Sequence, residues 1–322
     1  MILVTGAAGF IGAAVTQALL ARGDHVIGVD NLNPYYDVTL KEARLARLHE
    51  NPAFDFHQLD ISDRDRMLKL AADYPGITGV VHLAAQPGVR YSLENPYAYV
   101  TANVMGQVVM LELARALPLL KHFVYASSSS VYGANTKMPF AVGDAVDHPN
   151  SLYAATKRAD ELFGHTYAHL YGIPATGLRF FTVYGPWGRP DMAPFLFADA
   201  IANGKTLFLN NGGEMWRDFT YIDDIVDGVL RALDRPPAGQ PPHALYNLGN
   251  CKPEKLTDFV AQIEHALQKK AHIEIRPMPA GDVLKTYADI GASRRDLGFA
   301  PTTPISVGIP KFVDWFRGFY GV

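Results

Sequence analysis

The sequence predicts an α/β fold, a doubly wound parallel sheet followed by a smaller C-terminal lobe. Three features point to it. Short β-rich runs alternate with helical patterns through the first half, a glycine-rich turn joins the first such pair, and the rhythm breaks near Gly185. Alternation of this kind implies βαβ units, hence a parallel sheet with helices on both faces. The chain has 322 residues, 48% hydrophobic and 19% charged, which suits one large or two modest domains of ordinary globular composition. The expected division is 1–184 for the sheet-forming domain and 185–322 for the lobe, with some later segments returning to the sheet.

Residues 2–5 read as the first strand. Ile11, Val15, Ala18 and Leu19 then recur at helical spacing, and Gly23 stands where a helix C-terminal glycine belongs. Further buried strands are read at 25–30, 54–60, 80–85, 122–127 and 176–181, with longer crossover helices at 96–117 and 151–171. Beyond Gly185, prolines and glycines thicken in GPWGRPDMAP, NNGGE and DRPPAGQPP, the last a surface loop. A helix is read at 225–233, with Asp223 and Asp224 as its capping acids.

Composition excludes several functions. A formal net charge of -3, with no basic cluster interleaved with aromatics, gives no reason to expect nucleic acid. The single cysteine, Cys251, cannot form an internal disulfide, which fits a reducing compartment. Met1 leads into Ile2-Leu3-Val4 with no basic leader, so no secretory signal is expected. No run approaches the ~20 apolar residues of a membrane helix. The expectation is a cytoplasmic protein with no membrane partner.

The first turn carries Gly6, Gly9 and Gly12 as GxxGxxG between strand and helix, with Phe10 and Ile11 opening the helix. Such a loop lets the backbone approach a pyrophosphate at a helix N-terminus, where unpaired N–H groups and the helix dipole favour anions. The alternative is a tight turn with no ligand. Asp30 ends the second strand, where a carboxylate accepts from adenosine ribose hydroxyls and repels a 2′-phosphate. No Arg or Lys lies between 31 and 40, so NAD is favoured over NADP. Asp30 as a loop cap is the alternative.

Tyr153 and Lys157 in SLYAATKRADE stand four residues apart, on one face of a helix. A cation held there favours phenolate over phenol, and such a tyrosine is a general base for an alcohol proton. Alone the spacing says little; joined to a dinucleotide seat it points to alcohol oxidation.

The set TGAAGFIG (5–12), HLAAQ (82–86), ASSSSVYG (126–133), YAATK (153–157) and RDFTYIDD (217–224) resembles the extended short-chain dehydrogenase/reductase family of nucleotide-sugar-modifying enzymes. The resemblance covers essentially the whole chain. DNLNPYYDVTLKEARL (30–45) and RFFTVYGPWGRPDMA (179–193) are similar to its UDP-glucuronate 4-epimerase branch. It implies a Rossmann-type sheet with a UDP-sugar-binding lobe, bound NAD, and a reaction in which C4 is oxidised and then reduced from the opposite face.

Residue by residue, the resemblance makes Tyr153 the base for the sugar 4-hydroxyl and gives Lys157 the nicotinamide ribose. Ser128 matches the residue bonded to the 4-oxygen, with Ser127, Ser129 and Ser130 as substitutes or sugar contacts; a polar loop is the alternative for the serine run. Asn31, Asp60, Ile61, Leu83, Ala84, Ala85 and Asn103 match cofactor-lining positions. Pro87 and Arg90 fall where sugar or phosphates are touched, Arg217 matches a diphosphate contact, and Asp282 reaches toward the uridine ribose. Related dehydratases and decarboxylases carry an acid at the positions of Ser129 and Ser130; here neither is acidic. A 4-keto uronate is a β-keto acid, so its carboxylate must be held out of line with the carbonyl π system. Arg189, as a bidentate clamp, and Thr182 are the expected holders; a loop ion pair is the alternative for Arg189.

The resemblance also implies a homodimer packed through the 96–117 and 151–171 helices. Three other functions stay open: an epimerase of neutral UDP-hexoses, a UDP-glucuronate decarboxylase, and a non-catalytic dinucleotide sensor. His165 and His169 share the spacing of helix metal ligands, but residue 166 is Thr rather than the Glu of a zinc-protease motif, so no metal is expected. Tyr35, Tyr36, Tyr91, Tyr97 and Tyr99 are read as scattered positions rather than a stacking surface.

Overall fold

The computed structural model describes residues 1–277 and 284–322. Its main sheet is built from β1 (Ile2–Thr5), β2 (Val26–Asp30), β3 (Phe54–Gln58), β4 (Gly79–His82), β5 (His122–Ser128), β6 (Ala175–Phe180) and β10 (His243–Leu248). The order is β10-β6-β5-β4-β1-β2-β3, and every pairing is parallel. This is a Rossmann-type, doubly wound sheet. Strands covered on both faces need continuous apolar runs, and β1, β2 and β4 are buried throughout. Successive side chains divide between the two layers: Ile2, Val4, Val81 and Val124 join one core, Leu3, Val80, Phe123 and Tyr125 the other.

The crossover helices are α1 (Phe10–Ala21), α2 (Val38–His49), α3 (Arg64–Asp73), the short α4 (Tyr91–Glu94) and α5 (Pro96–Tyr99), then α6 (Gly106–Ala116) and α7 (Leu152–Tyr171). The helix expected at 96–117 is interrupted. A π-helical segment, Val100–Met105, joins α5 to α6 and carries Asn103, a local widening that functional sites often use. Gly106 follows it because a Cβ there would meet the Ile61 side chain at 2.6 Å. The strand expected at 80–85 stops at His82, since Leu83 to Ala85 leave the sheet to flank the first loop.

In the C-terminal part, β7 (Thr182–Tyr184), β9 (Trp216–Tyr221) and β11 (Pro253–Lys255) form a three-stranded sheet; β8 (Thr206–Asn210) pairs with β12 (His272–Arg276). The remaining helices are α8 (Ala193–Ala202), α9 (Ile222–Leu233), α10 (Leu256–Leu267) and α11 (Ile305–Tyr320). β10 completes the main sheet beside β6, and α9 lies against α1 and β5. The capping role expected for Asp223 and Asp224 does not hold, because α9 starts earlier and both lie inside its first turn. Asp224 instead accepts from the backbone N–H groups of Thr302 (3.0 Å) and Thr303 (3.1 Å), fixing the approach to α11. Among the described residues, no helix is long and apolar enough to cross a membrane.

One buried ion pair locks α7 onto the sheet. Arg179 of β6 donates from Nε (2.7 Å) and Nη2 (2.8 Å) to Glu161, each side chain about 1% exposed. Ser127 and Arg158 also donate to that carboxylate, at 2.6 and 3.1 Å. Burial pushes the Glu161 carboxyl up, but these partners more than reverse it, so it titrates below its ordinary value. A depressed carboxyl stabilises the fold above its unfolded pKa of ~4.3, and that stability fades as pH falls through the folded value. Arg179→Met, which strands a buried charge, is expected to cost about 3–5 kcal/mol near neutrality. The gap to the unsubstituted protein should narrow as pH drops through the carboxylate range, in urea unfolding at several pH values. A gap independent of pH would show that the pair is not what holds α7.

Candidate active site

The loop after β1 is shaped by close backbone approaches. Gly6 has φ +72°, and a Cβ there would meet Ala84 N at 2.8 Å; at Gly12 a Cβ would lie 1.9 Å from the Gly6 carbonyl oxygen. Gly9 is the N-cap of α1 and offers no side-chain cap, so the first-turn N–H groups are left to face the loop. Leu83, Ala84 and Ala85 run alongside, with Ala84 N donating to Thr5 Oγ1 at 3.2 Å. Three positions without a Cβ, an uncapped helix start and a carboxylate ending β2 fit a dinucleotide.

That carboxylate, Asp30, is buried and accepts from Ala8 N (3.2 Å) and Leu32 N (2.9 Å), so it also caps the loop. Lys41 Nζ lies 3.5 Å from Asp30 Oδ1, one position beyond the cation-free stretch 31–40. Asn31 donates to Asp60 at 2.8 Å, which Ser62 also engages; Ile61 is packed under the π-helical segment. The Asn103 side chain bridges Gln86 N (2.7 Å) and Thr156 Oγ1 (3.0 Å), tying that segment to α7.

Tyr153 lies in the first turn of α7, whose N-cap Ser151 accepts from Ala154 N at 3.1 Å. An oxyanion at Tyr153 therefore sits toward the positive end of the helix dipole. Lys157, one turn on, is buried and donates to Ala126 O and Asp160 Oδ2, both at 3.0 Å. Burial pushes the Asp160 carboxyl up to about 6, although the ammonium pulls the other way. His82, within electrostatic reach of Lys157, is driven down to about 3, first by burial and then by that charge, so its imidazole stays neutral. Ser128 caps the short 3-10 turn Ser129–Tyr132, and its Oγ accepts from Ser130 N at 3.1 Å.

Arg189 stands within electrostatic reach of Tyr153. Its Nε and Nη2 meet Asp191 at 3.0 and 2.5 Å, so the ion-pair alternative describes its present partner. Burial opposes the Arg189 charge, and Asp191 more than restores it. Tyr35 donates at 3.1 Å to Asp191 Oδ2, the oxygen that Arg189 Nη2 also engages, and is pushed up to about 12 by burial and by that acid. Of the tyrosines read as scattered, Tyr97 is exposed, but Tyr35, Tyr91 and Tyr99 are contiguous and lead to Tyr153: ring centroids run Tyr35–Tyr91 5.0 Å, Tyr91–Tyr99 6.2 Å and Tyr99–Tyr153 6.1 Å. Tyr99 donates to Pro87 O at 2.7 Å and to Gly88 O, pinning the 87–88 turn near Tyr153.

The other expected positions divide. Ser129 is half-buried next to Ser128, and Thr182 is half-buried at the start of β7. Arg217 lies on β9, with Nη1 donating to Trp216 O and Leu284 O. Arg90 is exposed at the start of α4. Ser127 does not join the cluster; strand alternation turns it to Glu161. Asp282 lies outside the described residues. His165 and His169 are exposed, and no cluster able to hold a metal occurs among the described residues. Asp191 and Arg44 are not among the residues the sequence singles out, and Tyr35 and Tyr99 are named there only as scattered positions. Asp191 was signalled only by standing two residues after Arg189.

A family model described as the NAD dependent epimerase/dehydratase family matches residues 2–249. UDP-glucuronate 4-epimerase 3 of Arabidopsis thaliana is 49% identical over 332 residues, covering 99% of this chain and 77% of the relative. The crystal structure of UDP-glucuronic acid 4-epimerase from Bacillus cereus, in complex with UDP-glucuronic acid and NAD, aligns with a TM-score of 0.91 at 36% identity, covering 99% of both chains. UDP-glucose 4-epimerase of Thermotoga maritima with UDP-glucose aligns at 0.89 with 28% identity, again over 99% of each.

Gly12→Ala places a methyl group on the Gly6 carbonyl. The variant should purify with little or no bound dinucleotide, as measured by chromatography of the nucleotides released on denaturation. Retention of a full complement would mean that the loop does not seat the cofactor.

Proposed function

The chain belongs to the NAD dependent epimerase/dehydratase family, and on that premise we propose that it is an NAD-dependent UDP-glucuronate 4-epimerase, interconverting UDP-glucuronate and UDP-galacturonate. The observation that carries the substrate is Arg189, a half-buried guanidinium within electrostatic reach of Tyr153. A neutral hexose offers no charge to such a group. A uronate places its carboxylate one carbon from the carbinol that the base must reach.

The bound dinucleotide takes hydride from C4 of the sugar and returns it to the other face. The chain supplies the remainder. Tyr153 removes the 4-hydroxyl proton as that hydride leaves and gives a proton back when it returns. Ser128 donates to the 4-oxygen and holds it against the base. Lys157 fixes the cofactor ribose and favours the phenolate. Ser129 and Ser130 offer no acid to protonate or deprotonate neighbouring carbons, so the keto sugar has return of hydride as its open route. Arg189 and Thr182 hold the carboxylate while the ring turns over, keeping the C5–carboxylate bond out of line with the ketone. Arg217 on β9 meets the diphosphate. The cycle is redox-neutral, so the cofactor remains bound between turnovers.

The reading includes a homodimer packed through α6 and α7 and a cytoplasmic setting. Val100, Met105, Leu162 and Leu170, on or just before those helices, are each between 48% and 61% exposed and are the apolar side chains such a packing would cover. Light scattering at micromolar concentration should give a dimer mass; a monomer removes this part.

Purified protein with UDP-glucuronate and no added reductant should form UDP-galacturonate. Tyr153→Phe should lower kcat by about 10²–10⁴-fold while UDP still binds. No conversion by the unsubstituted protein, or full activity of the phenylalanine variant, would overturn the assignment.

A further inference from the structure

We propose that Arg44 is a positioning residue for the epimerisation, tying the loop that presents Arg189 to the loop that seats the cofactor. The proposal rests on the reading of Arg189 as the holder of the substrate carboxylate.

Arg44 lies on α2 and is among the largest fully buried side chains, 1% exposed. Arginines are almost never so buried unless a carboxylate pairs with them. The hydrogen bonds Arg44 makes go instead to three backbone carbonyls and a phenol. Nε and Nη2 donate to Trp187 O at 3.2 and 2.6 Å, and Nη2 also reaches Gly188 O at 3.3 Å. Nη1 donates to Ala8 O at 3.0 Å and to the Tyr36 hydroxyl at 2.9 Å. One planar fork thus joins the glycine loop, the turn after β2 and the segment just before Arg189. Lysine, a point charge on a flexible stem, cannot span these directions together.

The segment it holds needs holding. Trp187 has φ +64°, a left-handed conformation that costs a non-glycine residue free energy and persists only where its surroundings over-determine it. Gly188 N closes the turn on Gly185 O at 3.2 Å, while the indole packs on Trp315 and Phe319 with Arg47 over its face. Arg189 follows two residues later. Its guanidinium position is therefore inherited from the Trp187 backbone, and the Trp187 carbonyl is aimed by Arg44.

A loosened Arg189 has a defined chemical consequence. In the 4-keto uronate the C5–carboxylate bond can then align with the ketone. CO2 departs, the bonding pair forms an enolate conjugated with C4, and C5 takes a proton from solvent. Return of hydride to that ketone yields a UDP-pentose instead of the epimer.

The test uses the purified protein with its retained cofactor. Arg44→Lys and Arg44→Met are compared with Arg189→Ala and with the Arg44→Lys/Arg189→Ala double variant. Bound dinucleotide, affinity for UDP alone, KM and kcat for UDP-glucuronate, and the ratio of UDP-pentose to UDP-galacturonate are measured. Arg44→Lys should leave UDP affinity unchanged, raise KM for UDP-glucuronate by about tenfold to a hundredfold, and raise the pentose ratio. In the Arg189→Ala background the same substitution should leave the ratio where Arg189→Ala alone put it, since the cycle closes on one interaction. Unchanged KM and ratio in folded Arg44→Lys, or effects that multiply with those of Arg189→Ala, would overturn the proposal. Arg44→Met shows the stronger effect if it folds; Arg44→Lys decides the matter alone if it does not. Unsubstituted protein that fails to convert UDP-glucuronate defeats the functional reading, whereas normal conversion with silent Arg44 variants defeats only this proposal.

Discussion

The seat of α7 on β5 and β6 is the constraint from which the site follows. Glu161, Lys157 and Tyr153 succeed one another at four-residue intervals, so they share a helix face. The first is fixed by Arg179 of β6 and Ser127 of β5, the second by the Ala126 carbonyl of β5. With two points of that face pinned to adjacent strands, the third has no freedom of height or rotation. A buried ion pair contributes little net stability over apolar packing, because desolvation consumes most of the Coulombic gain. What this pair supplies is register, and it places the phenol at the carboxyl edge of the sheet, where doubly wound folds bind their ligands.

The same edge gathers charges wholly or partly withdrawn from water, and most are matched locally: Lys157 with Asp160, Lys41 with Asp30, Arg189 with Asp191. His82, held neutral, adds nothing. A site balanced in this way does not collapse around excess charge before a ligand arrives, yet each cation keeps donor capacity beyond its internal partner. Arg44 differs, being matched by carbonyl dipoles on the loops it joins. Its full charge is consequently spent on holding backbone rather than on a neighbouring acid.

What could be read from the sequence was whatever lies within one short stretch. Strand, glycine turn and helix start are contiguous, so the dinucleotide seat was legible from residues 2 to 12; Tyr153 and Lys157 are one helical turn apart. Contacts made by tertiary approach were not legible. Arg44 and Trp187 are separated by most of the dinucleotide-binding half, and the tyrosines of positions 35, 91, 99 and 153 converge only when β2, α4, α5 and α7 meet at the sheet edge. Neighbouring serines illustrate the limit: Ser127 and Ser128 are alike in composition, and only strand alternation sends one to Glu161 and the other to the cleft edge. The lobe was hardest, since its strands pair across long separations, as β7 does with β9 and β11 with β9, with no repeated rhythm to announce them.

The Arg189 ion pair is compatible with the proposed role of the same residue as a ligand clamp. A guanidinium has two usable edges, and Asp191 takes the one formed by Nε and Nη2. Tyr35 donates to Asp191 Oδ2, which it shares with Arg189 Nη2, and burial keeps that phenol protonated as a donor far above neutral pH. The acid is thereby anchored as a support that fixes the guanidinium plane, and the Nη1 edge is the one Asp191 leaves unengaged. A carboxylate arriving at that edge meets a cation whose orientation is already set by Asp191 and whose backbone is set by Arg44. Preorganisation of this sort matters more for a uronate than for a neutral sugar, because a carboxylate free to rotate while C4 is a ketone is a carboxylate about to leave.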